Sequence, residues 1–139
     1  MTEHDEVGRL YLTLGRLNRA LRRESVDAPV GHGALSALST LTKQGPQRLG
    51  TLAGIEGVSA PSMTRNVGSL EDLGHVRRTP DPADGRAAIV AATDSGRDIV
   101  LAGREARMQA LRLRVEKLSD EQRDRLAAAL PVLEELVGQ

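Results

Sequence analysis

Residues 49–92 constrain the fold more than any other stretch of the chain, because two short helical patterns meet there at a glycine and a turn-rich hairpin follows. Apolar residues at helical spacing predict a helix that ends at Gly57, and Ser59 is placed to cap the next helix. Two strand patterns, 75–79 and 87–91, flank the segment Pro-Asp-Pro-Ala-Asp-Gly, which has turn-forming residues at almost every position. The pattern predicts a helix pair followed by a β-hairpin.

The second helix of this pair separates an apolar face from a small polar face. Met63, Val67 and Leu70 share one side at i, i+4, i+7 spacing and are predicted to be buried. At about 100° per residue, Arg65 lies almost opposite the centre of that side. The small residues on the outer side are Pro61, Ser62, Gly68 and Ser69, with Thr64 at its edge. A helix of this kind, just before a basic hairpin, has the shape to enter the major groove of DNA.

Each candidate DNA contact on this helix also has a structural interpretation. Arg65 is predicted to contact a base or a phosphate, and the alternative is a solvated surface arginine. Ser62 and Thr64 are predicted to donate hydrogen bonds to phosphates or bases. Ser59 is first a helix cap, although the exposed amides behind it could still meet a phosphate. Asn66 falls nearer the buried side and is a weaker candidate for reading bases.

The hairpin carries arginines with two kinds of predicted role. Arg86 either inserts into the minor groove or bonds to Asp84 and holds the hairpin in shape, and the two roles are compatible. Arg78 is predicted to brace the hairpin against the domain, and Arg77 to contact a phosphate. The predicted DNA-binding residues are Ser59, Pro61, Ser62, Thr64, Arg65, Ser69, Arg77 and Arg86, and the predicted shaping residues of the hairpin are Arg78, Asp84 and Gly85.

Amphipathic helices are predicted on both sides of this region, over about 6–23, 32–43 and in two longer segments after Thr93. The segment Asp27-Ala28-Pro29 is predicted to interrupt the helical pattern between the first two of these helices. The terminal helices carry more apolar surface than a small domain needs, so they are predicted to pair with a second chain, and the alternative is a helical layer within one chain. The predicted dimerisation residues are Leu10, Leu14, Leu111, Val115, Leu126, Leu130 and Leu133. Met63 and Met108 are predicted to lie in the core.

Composition excludes several classes of function. The chain has 139 residues, about one domain, and no cysteine, so a thiol cannot serve as nucleophile or redox sensor. Its net charge of zero permits a local basic patch but argues against general coating of nucleic acid. The histidines match no metal-ligand spacing, and no catalytic motif is present, so no metal, cofactor or enzymatic activity is expected. No apolar run is long enough for a membrane span and the acidic start lacks a secretory signal, so a cytoplasmic protein is expected.

The order of these elements resembles the MarR family of bacterial transcriptional regulators. The sharpest similarity is Arg78, then Asp84-Gly85-Arg86, then Thr93-Asp94-Ser95-Gly96. The family pattern has an arginine after the recognition helix, Asp-x-Arg in the wing and Leu-Thr-x-x-Gly at the next helix. Ala92 stands at the leucine position, a conservative departure. The Ser-x-x-Ser-Met-Thr-Arg run that ends at Arg65 also suits the family's recognition helix.

The resemblance implies a mainly α fold with a small β-hairpin wing, in a single domain over 1–139. The winged helix-turn-helix lobe would take about 31–92, and the dimerisation region about 5–24 and 93–139. It further implies a homodimeric, sequence-specific DNA-binding regulator, a repressor on a pseudo-palindromic operator, released by a small-molecule effector whose binding residues the sequence does not identify. The expected partners are double-stranded DNA, a second copy of the chain and this effector, but no membrane. The alternative is a winged-helix module that binds another protein and no DNA.

Overall fold

The computed structural model describes residues 3–24 and 30–138, with side chains from Asp5 onward in the first range. In chain order the elements are α1 (Glu3–Glu24), α2 (His32–Gln44), β1 (Gln47–Arg48), α3 (Leu49–Glu56), α4 (Ala60–Asp72), β2 (Val76–Pro80), β3 (Ala88–Ala92), α5 (Asp94–Glu116) and α6 (Asp120–Val137). This order confirms the predicted mainly α fold with a β-hairpin wing. The predicted break at Asp27-Ala28-Pro29 lies outside the described residues.

The internal contacts divide the chain into two compact units. The first, Val26–Arg104, holds α2 to β3 and the start of α5, and is called the lobe below. The second combines Met1–Ser25 with Glu105–Gln139, and is called the helical unit. The lobe therefore extends further along α5 than the predicted end at residue 92.

The corner between α3 and α4 is formed by the two residues that the sequence singles out. Gly57 has a left-handed backbone, with φ 65°, and its N–H donates back to Ala53 and Gly54 carbonyls to end α3. Ser59 then caps α4, because its Oγ accepts the N–H of Ser62 at 3.2 Å. Glycine adopts the left-handed conformation at least cost, so Gly57 determines where α3 ends. The predicted helix pair is confirmed.

The three strands form one antiparallel sheet in the order β1, β3, β2. The hairpin pairs Val76–Ala92, Arg77–Ala91, Arg78–Val90, Thr79–Ile89 and Pro80–Ala88. Each hairpin strand lies one residue later than the predicted ranges 75–79 and 87–91. Strand β1 was not predicted, because two residues carry no periodicity and its pairing of Arg48 with Ile89 depends on β3.

The core of the lobe is made by α2, α3, α4 and the sheet. Met63, Val67 and Leu70 are fully buried, as the face of α4 predicts. The largest fully buried side chains are Leu38, Leu52, Met63, Leu70, Val67 and Val90. Burying each such side chain contributes about 1.5–3 kcal/mol, so this cluster fixes which side of α4 faces solvent.

A close backbone contact fixes the start of α5. The Thr93 N–H donates to the His75 carbonyl at 3.0 Å, and Thr93 Oγ1 donates to the Gly74 carbonyl at 2.6 Å. One turn on, a Cβ placed on Gly96 would lie 2.1 Å from the His75 carbonyl oxygen. Only a residue without a side chain allows this approach. The contact explains the Thr-x-x-Gly spacing in the sequence.

The helical unit buries little apolar surface of its own. Ala110 is its only buried hydrophobic residue among those that the structure describes. Apolar positions on α1 and α6 are largely exposed, with 47% of Leu14, 49% of Leu130 and 77% of Tyr11 accessible. Met108 is exposed too, so its predicted place in the core is wrong. An open groove of about 500 Å³ runs along α1.

Local polar contacts define the ends of these helices. Ser119 begins α6 with a capping box, in which its Oγ accepts the Gln122 N–H at 3.2 Å and Gln122 Oε1 accepts the Ser119 N–H at 2.9 Å. Arg114 on α5 forms an ion pair with Glu24 at the end of α1. The capping box stabilises the start of α6, and the ion pair joins α5 to the end of α1.

Candidate nucleic-acid interface

The outer face of α4 carries a chain of hydrogen bonds that ends at Arg65. Ser59 Oγ donates to Ser62 Oγ at 3.0 Å, and Arg65 Nη2 donates to the same oxygen at 3.3 Å. Arg65 is exposed on the side opposite the buried Met63 and Val67, as predicted from the helical spacing. A guanidinium has five N–H donors, so most of them remain available to a partner in solvent.

The N-terminus of α4 adds a second positive feature beside this chain. The first turn contains no acidic residue, and Pro61 occupies an early position where its missing N–H costs nothing. The unpaired amides of a helix start, together with the helix dipole, attract anions such as phosphate. Arg65 and the start of α4 therefore present positive potential on one exposed side of the lobe.

The other hydroxyls of this face are bonded to their own helix. Thr64 Oγ1 donates to the Ala60 carbonyl at 2.9 Å, and Ser69 Oγ donates to the Arg65 carbonyl at 3.2 Å. In this arrangement their oxygens offer acceptor lone pairs to the outside. Donation to a phosphate, as predicted for Thr64, requires rotation of the hydroxyl away from the helix.

Asn66 points away from this face and packs on α2. It is half-buried, and a Cβ placed on Gly33 near the start of α2 would lie 2.8 Å from Asn66 Nδ2. The interpretation of Asn66 as a residue near the buried side agrees with this position.

The wing arginines differ in their surroundings. Arg77 and Arg86 are exposed, whereas Arg78 Nε lies 3.5 Å from Glu71 Oε2, which joins β2 to the end of α4. Asp84 Oδ1 accepts the backbone N–H of Arg86 at 3.1 Å. Among the described residues the Arg86 guanidinium forms no ion pair with Asp84, so Asp84 shapes the turn through the backbone and leaves the arginine side chain in solvent.

Glycine is not required for the backbone at Gly85. Its φ is not positive, and a Cβ there would meet nothing within 4 Å.

The residue that sequence reasoning missed in this turn is Asp81, whose carboxylate is buried and pairs with Arg48. An Asp-Pro pair in a turn-rich segment suggests a side-chain bond to the local backbone, but no sequence signal shows that the carboxylate is buried.

A second missed contact joins the first helix of the pair to α2. Glu56 ends α3, and its carboxylate accepts hydrogen bonds from Ser36 Oγ at 2.6 Å and Thr40 Oγ1 at 2.5 Å. A carboxylate at a helix C-terminus is disfavoured by the helix dipole, so the two hydroxyls offset that cost. The partners lie far apart in the sequence, which is why no local pattern indicated them.

A two-helix unit with its second helix exposed, followed by a basic hairpin packed on the same core, defines a winged helix-turn-helix protein. The model of the MarR family matches residues 32–88. An HTH-type transcriptional regulator of Mycobacterium tuberculosis is 42% identical over 130 residues, which are 94% of this chain and 91% of that relative. The chain belongs to the MarR family, and it is a DNA-binding transcriptional regulator of the winged helix-turn-helix class.

Solved structures show the same fold over nearly the whole chain. A protein of Mycobacterium tuberculosis is 30% identical, with a TM-score of 0.82 over 100% of this chain and 97% of that one. A transcriptional regulator of Thermotoga maritima is 25% identical, with a TM-score of 0.80 over 96% of this chain and 94% of that one. Within the described residues, no helix is long and apolar enough to cross a membrane.

Proposed function

We propose that this protein is a homodimeric repressor that binds a pseudo-palindromic operator and is released by a small-molecule ligand. The observation that carries the proposal is the outer face of α4, where Ser59, Ser62 and Arg65 form one hydrogen-bonded chain on an exposed helix. An arginine held in this way can donate two hydrogen bonds to O6 and N7 of a guanine in the major groove. Pro61, Thr64 and Ser69 complete the contact surface on α4.

The wing supplies the second contact in this proposal. Arg86, at the exposed turn, enters the adjacent minor groove, where narrow A·T-rich tracts attract arginine. Arg77 on β2 contacts a phosphate from its exposed position. Such contacts fix the position of the protein on the duplex, whereas Arg65 provides base recognition.

The homodimer is supported by the open apolar faces of the helical unit. Leu10, Leu14, Leu126 and Leu130 are exposed in the single chain, and a second copy would cover them. The remaining predicted dimer residues, Leu111, Val115 and Leu133, are half-buried. A two-fold dimer of this kind places its two copies of α4 about 34–36 Å apart, one turn of DNA.

Release by a ligand is the third part of this proposal. Operator binding requires one spacing of the two α4 helices, so a ligand that binds better to another spacing lowers the affinity for DNA. A panel of aromatic acids and lipophilic antibiotics, screened for displacement of a fluorescent operator duplex, tests this part of the proposal. If every compound leaves the operator bound at saturating concentration, ligand release by these classes is wrong.

The first test is selection of bound duplexes from a random DNA pool, run in parallel with wild type and Arg65→Ala. A two-fold symmetric motif with half-sites about one helical turn apart supports the dimeric regulator. Failure to enrich any sequence at low salt would overturn the proposal and favour the protein-binding alternative. Steep loss of affinity with added salt separates DNA binding from protein binding, because bound counterions are released from DNA.

The selected operator then measures the contribution of Arg65. We expect Arg65→Ala to weaken specific binding by about 1–3 kcal/mol and to relax the preference at one base pair of each half-site. Arg104→Ala removes an exposed arginine from α5 and serves as the control, with unchanged affinity. Equal affinities for Arg65→Ala and the control would show that Arg65 does not contact DNA.

A further inference from the structure

Asp81 is a buried carboxylate at the base of the wing turn, with 6% of its surface accessible. Its N–H donates to the Ala87 carbonyl at 3.0 Å, and its Oδ1 accepts the Ala83 N–H at 2.9 Å. The first bond joins the beginning of the turn to its end, and the second holds Ala83 within the turn. Asp81 therefore stabilises the turn through both its backbone and its side chain.

The second carboxylate oxygen of Asp81 faces the helix-turn-helix. Oδ2 lies 2.5 Å from Arg48 Nη2 and accepts no hydrogen bond of regular geometry from the described residues. Arg48 belongs to β1 and is also the residue that immediately precedes the first turn of α3. The ion pair thus joins the wing turn to the start of the helix pair.

The energetics of this pair are those of an ion pair with one buried partner. Arg48 keeps 53% of its side chain exposed, whereas Asp81 is almost fully enclosed. A buried carboxylate without a counter-charge is strongly unfavourable, so loss of Arg48 is expected to move Asp81 toward solvent and to open the turn. Strand β1 pairs with β3 over only two residues, which leaves few other restraints between β1 and the wing.

We infer that Arg48 and Asp81 are a positioning pair, which holds the wing in a fixed orientation against the start of α3 so that Arg86 reaches DNA. The part concerning DNA rests on the proposed function. Arg86 lies on the far side of the turn that Asp81 closes, and its guanidinium forms no ion pair with Asp84. Its position is set by the turn backbone. Holding that backbone in the bound conformation removes part of the ordering cost of binding.

A thermodynamic cycle on the selected operator tests the inference. In the wild-type background, Arg86→Ala is expected to weaken binding by about tenfold. In the Arg48→Ala and Asp81→Asn backgrounds the same change is expected to weaken binding by less than about threefold, because a displaced wing has already lost the contact. Arg48→Lys keeps the positive charge at position 48. In this background Arg86→Ala is expected to weaken binding nearly as much as it does in the wild type. Equal losses in all backgrounds would overturn the inference.

Hydrogen exchange without DNA tests the pair independently of the proposed function. The amides of Ala83 and Ala87 donate within the wing turn, to Asp81 Oδ1 and to the Asp84 carbonyl. Their exchange is expected to accelerate by about tenfold or more in Arg48→Ala and Asp81→Asn, while the Val67 amide in the core of α4 stays protected. Unchanged exchange at Ala83 and Ala87 would overturn the inference, whether or not the wild type binds DNA.

A matched control is available in the same lobe. Asp94 Oδ1 lies 2.8 Å from Arg97 Nη2, and the Asp94 side chain is almost fully exposed. Asp94→Asn therefore removes one negative charge, as Asp81→Asn does, but from an ion pair at the surface. This variant is expected to leave the effect of Arg86→Ala and the exchange of the turn amides unchanged. If it alters them as much as Asp81→Asn does, the effect is one of net charge and the inference is wrong.

Discussion

The lobe and the helical unit use apolar residues in opposite ways. In the lobe, leucine, valine and methionine from α2, α3, α4 and β3 are fully buried against one another. In the helical unit, leucines recur at the same helical spacing but remain exposed or half-buried, and Ala110 alone among its described hydrophobic residues is buried. The same pattern of residues thus builds a closed core in one region and an open face in the other.

The two regions therefore obtain their stability from different contacts. The lobe removes apolar surface from water within one chain, so its stability is a property of that chain. The helical unit leaves that surface in water until something covers it. An exposed apolar area of this extent is typical of an interaction surface. The stability of the helical unit is therefore expected to increase with protein concentration, whereas the stability of the lobe is not.

The largest effect is expected from a leucine-to-alanine substitution, made once in the lobe and once in the helical unit. Leu52→Ala removes a fully buried side chain and is expected to lower the stability of the lobe by about 2–5 kcal/mol. Leu130→Ala truncates a half-exposed side chain and should leave lobe stability unchanged. Native-state hydrogen exchange at the Val67 amide measures both. A comparable loss in Leu130→Ala would mean that the lobe and the helical unit unfold as one body.

A smaller effect is expected where α5 approaches the His75 carbonyl, just before β2. Gly96→Ala forces a Cβ against the His75 carbonyl and is expected to cost about 1–3 kcal/mol of lobe stability. Gly54→Ala is the control, because a Cβ there meets nothing and alanine favours a helix by up to about 1 kcal/mol. Urea unfolding of both variants checks the sign. Stabilisation by Gly96→Ala would show that α5 can shift freely on the sheet.

A charged residue introduced on the exposed apolar face of the helical unit tests whether this face is the interface between two copies. Leu130→Asp is expected to raise the dissociation constant of the proposed dimer by about tenfold or more, equivalent to about 1.4 kcal/mol. Sedimentation equilibrium over a range of protein concentrations measures it, and Asp124→Ala on the same helix serves as an exposed control. An unchanged constant for Leu130→Asp would place the interface elsewhere.

The smallest effect concerns an exposed ion pair of α6. Glu121 Oε1 lies 2.6 Å from Arg125 Nη2, and both side chains are about three-quarters exposed. Glu121→Gln is expected to cost only about 0.3–0.5 kcal/mol, less at high salt. Thermal unfolding at low and high salt measures this. A cost above about 1 kcal/mol would mean that ion pairs, rather than apolar contacts, hold the helical unit.

The sequence predicted the parts of the candidate site that depend on one element at a time. Ser59 as a cap, Gly57 as a stop and the outward position of Arg65 all follow from spacing within a few residues. The strands of the wing were predicted one residue early, because turn residues determine where a hairpin reverses but not the first paired position.

Contacts between distant residues were not predictable in the same way. Asp81 was interpreted only as part of a turn, yet it is buried and forms an ion pair with Arg48, which β1 places beside the wing. Glu56 accepts hydrogen bonds from two α2 hydroxyls that lie 16 and 20 residues away. Met108 has the spacing of a core residue, but whether that face is covered depends on what packs against it.

Local patterns in the sequence were sufficient to predict the order of the helices, the corner between α3 and α4, and which face of α4 is polar. These features depend on helical periodicity, caps and glycine conformations, which act over one or two turns of chain. The ion pair of Arg48 with Asp81 and the hydrogen bonds by which Glu56 joins α3 to α2 depend on tertiary packing instead. Each of these depends on where separate elements are placed by the burial of a shared core, and no single segment contains that information.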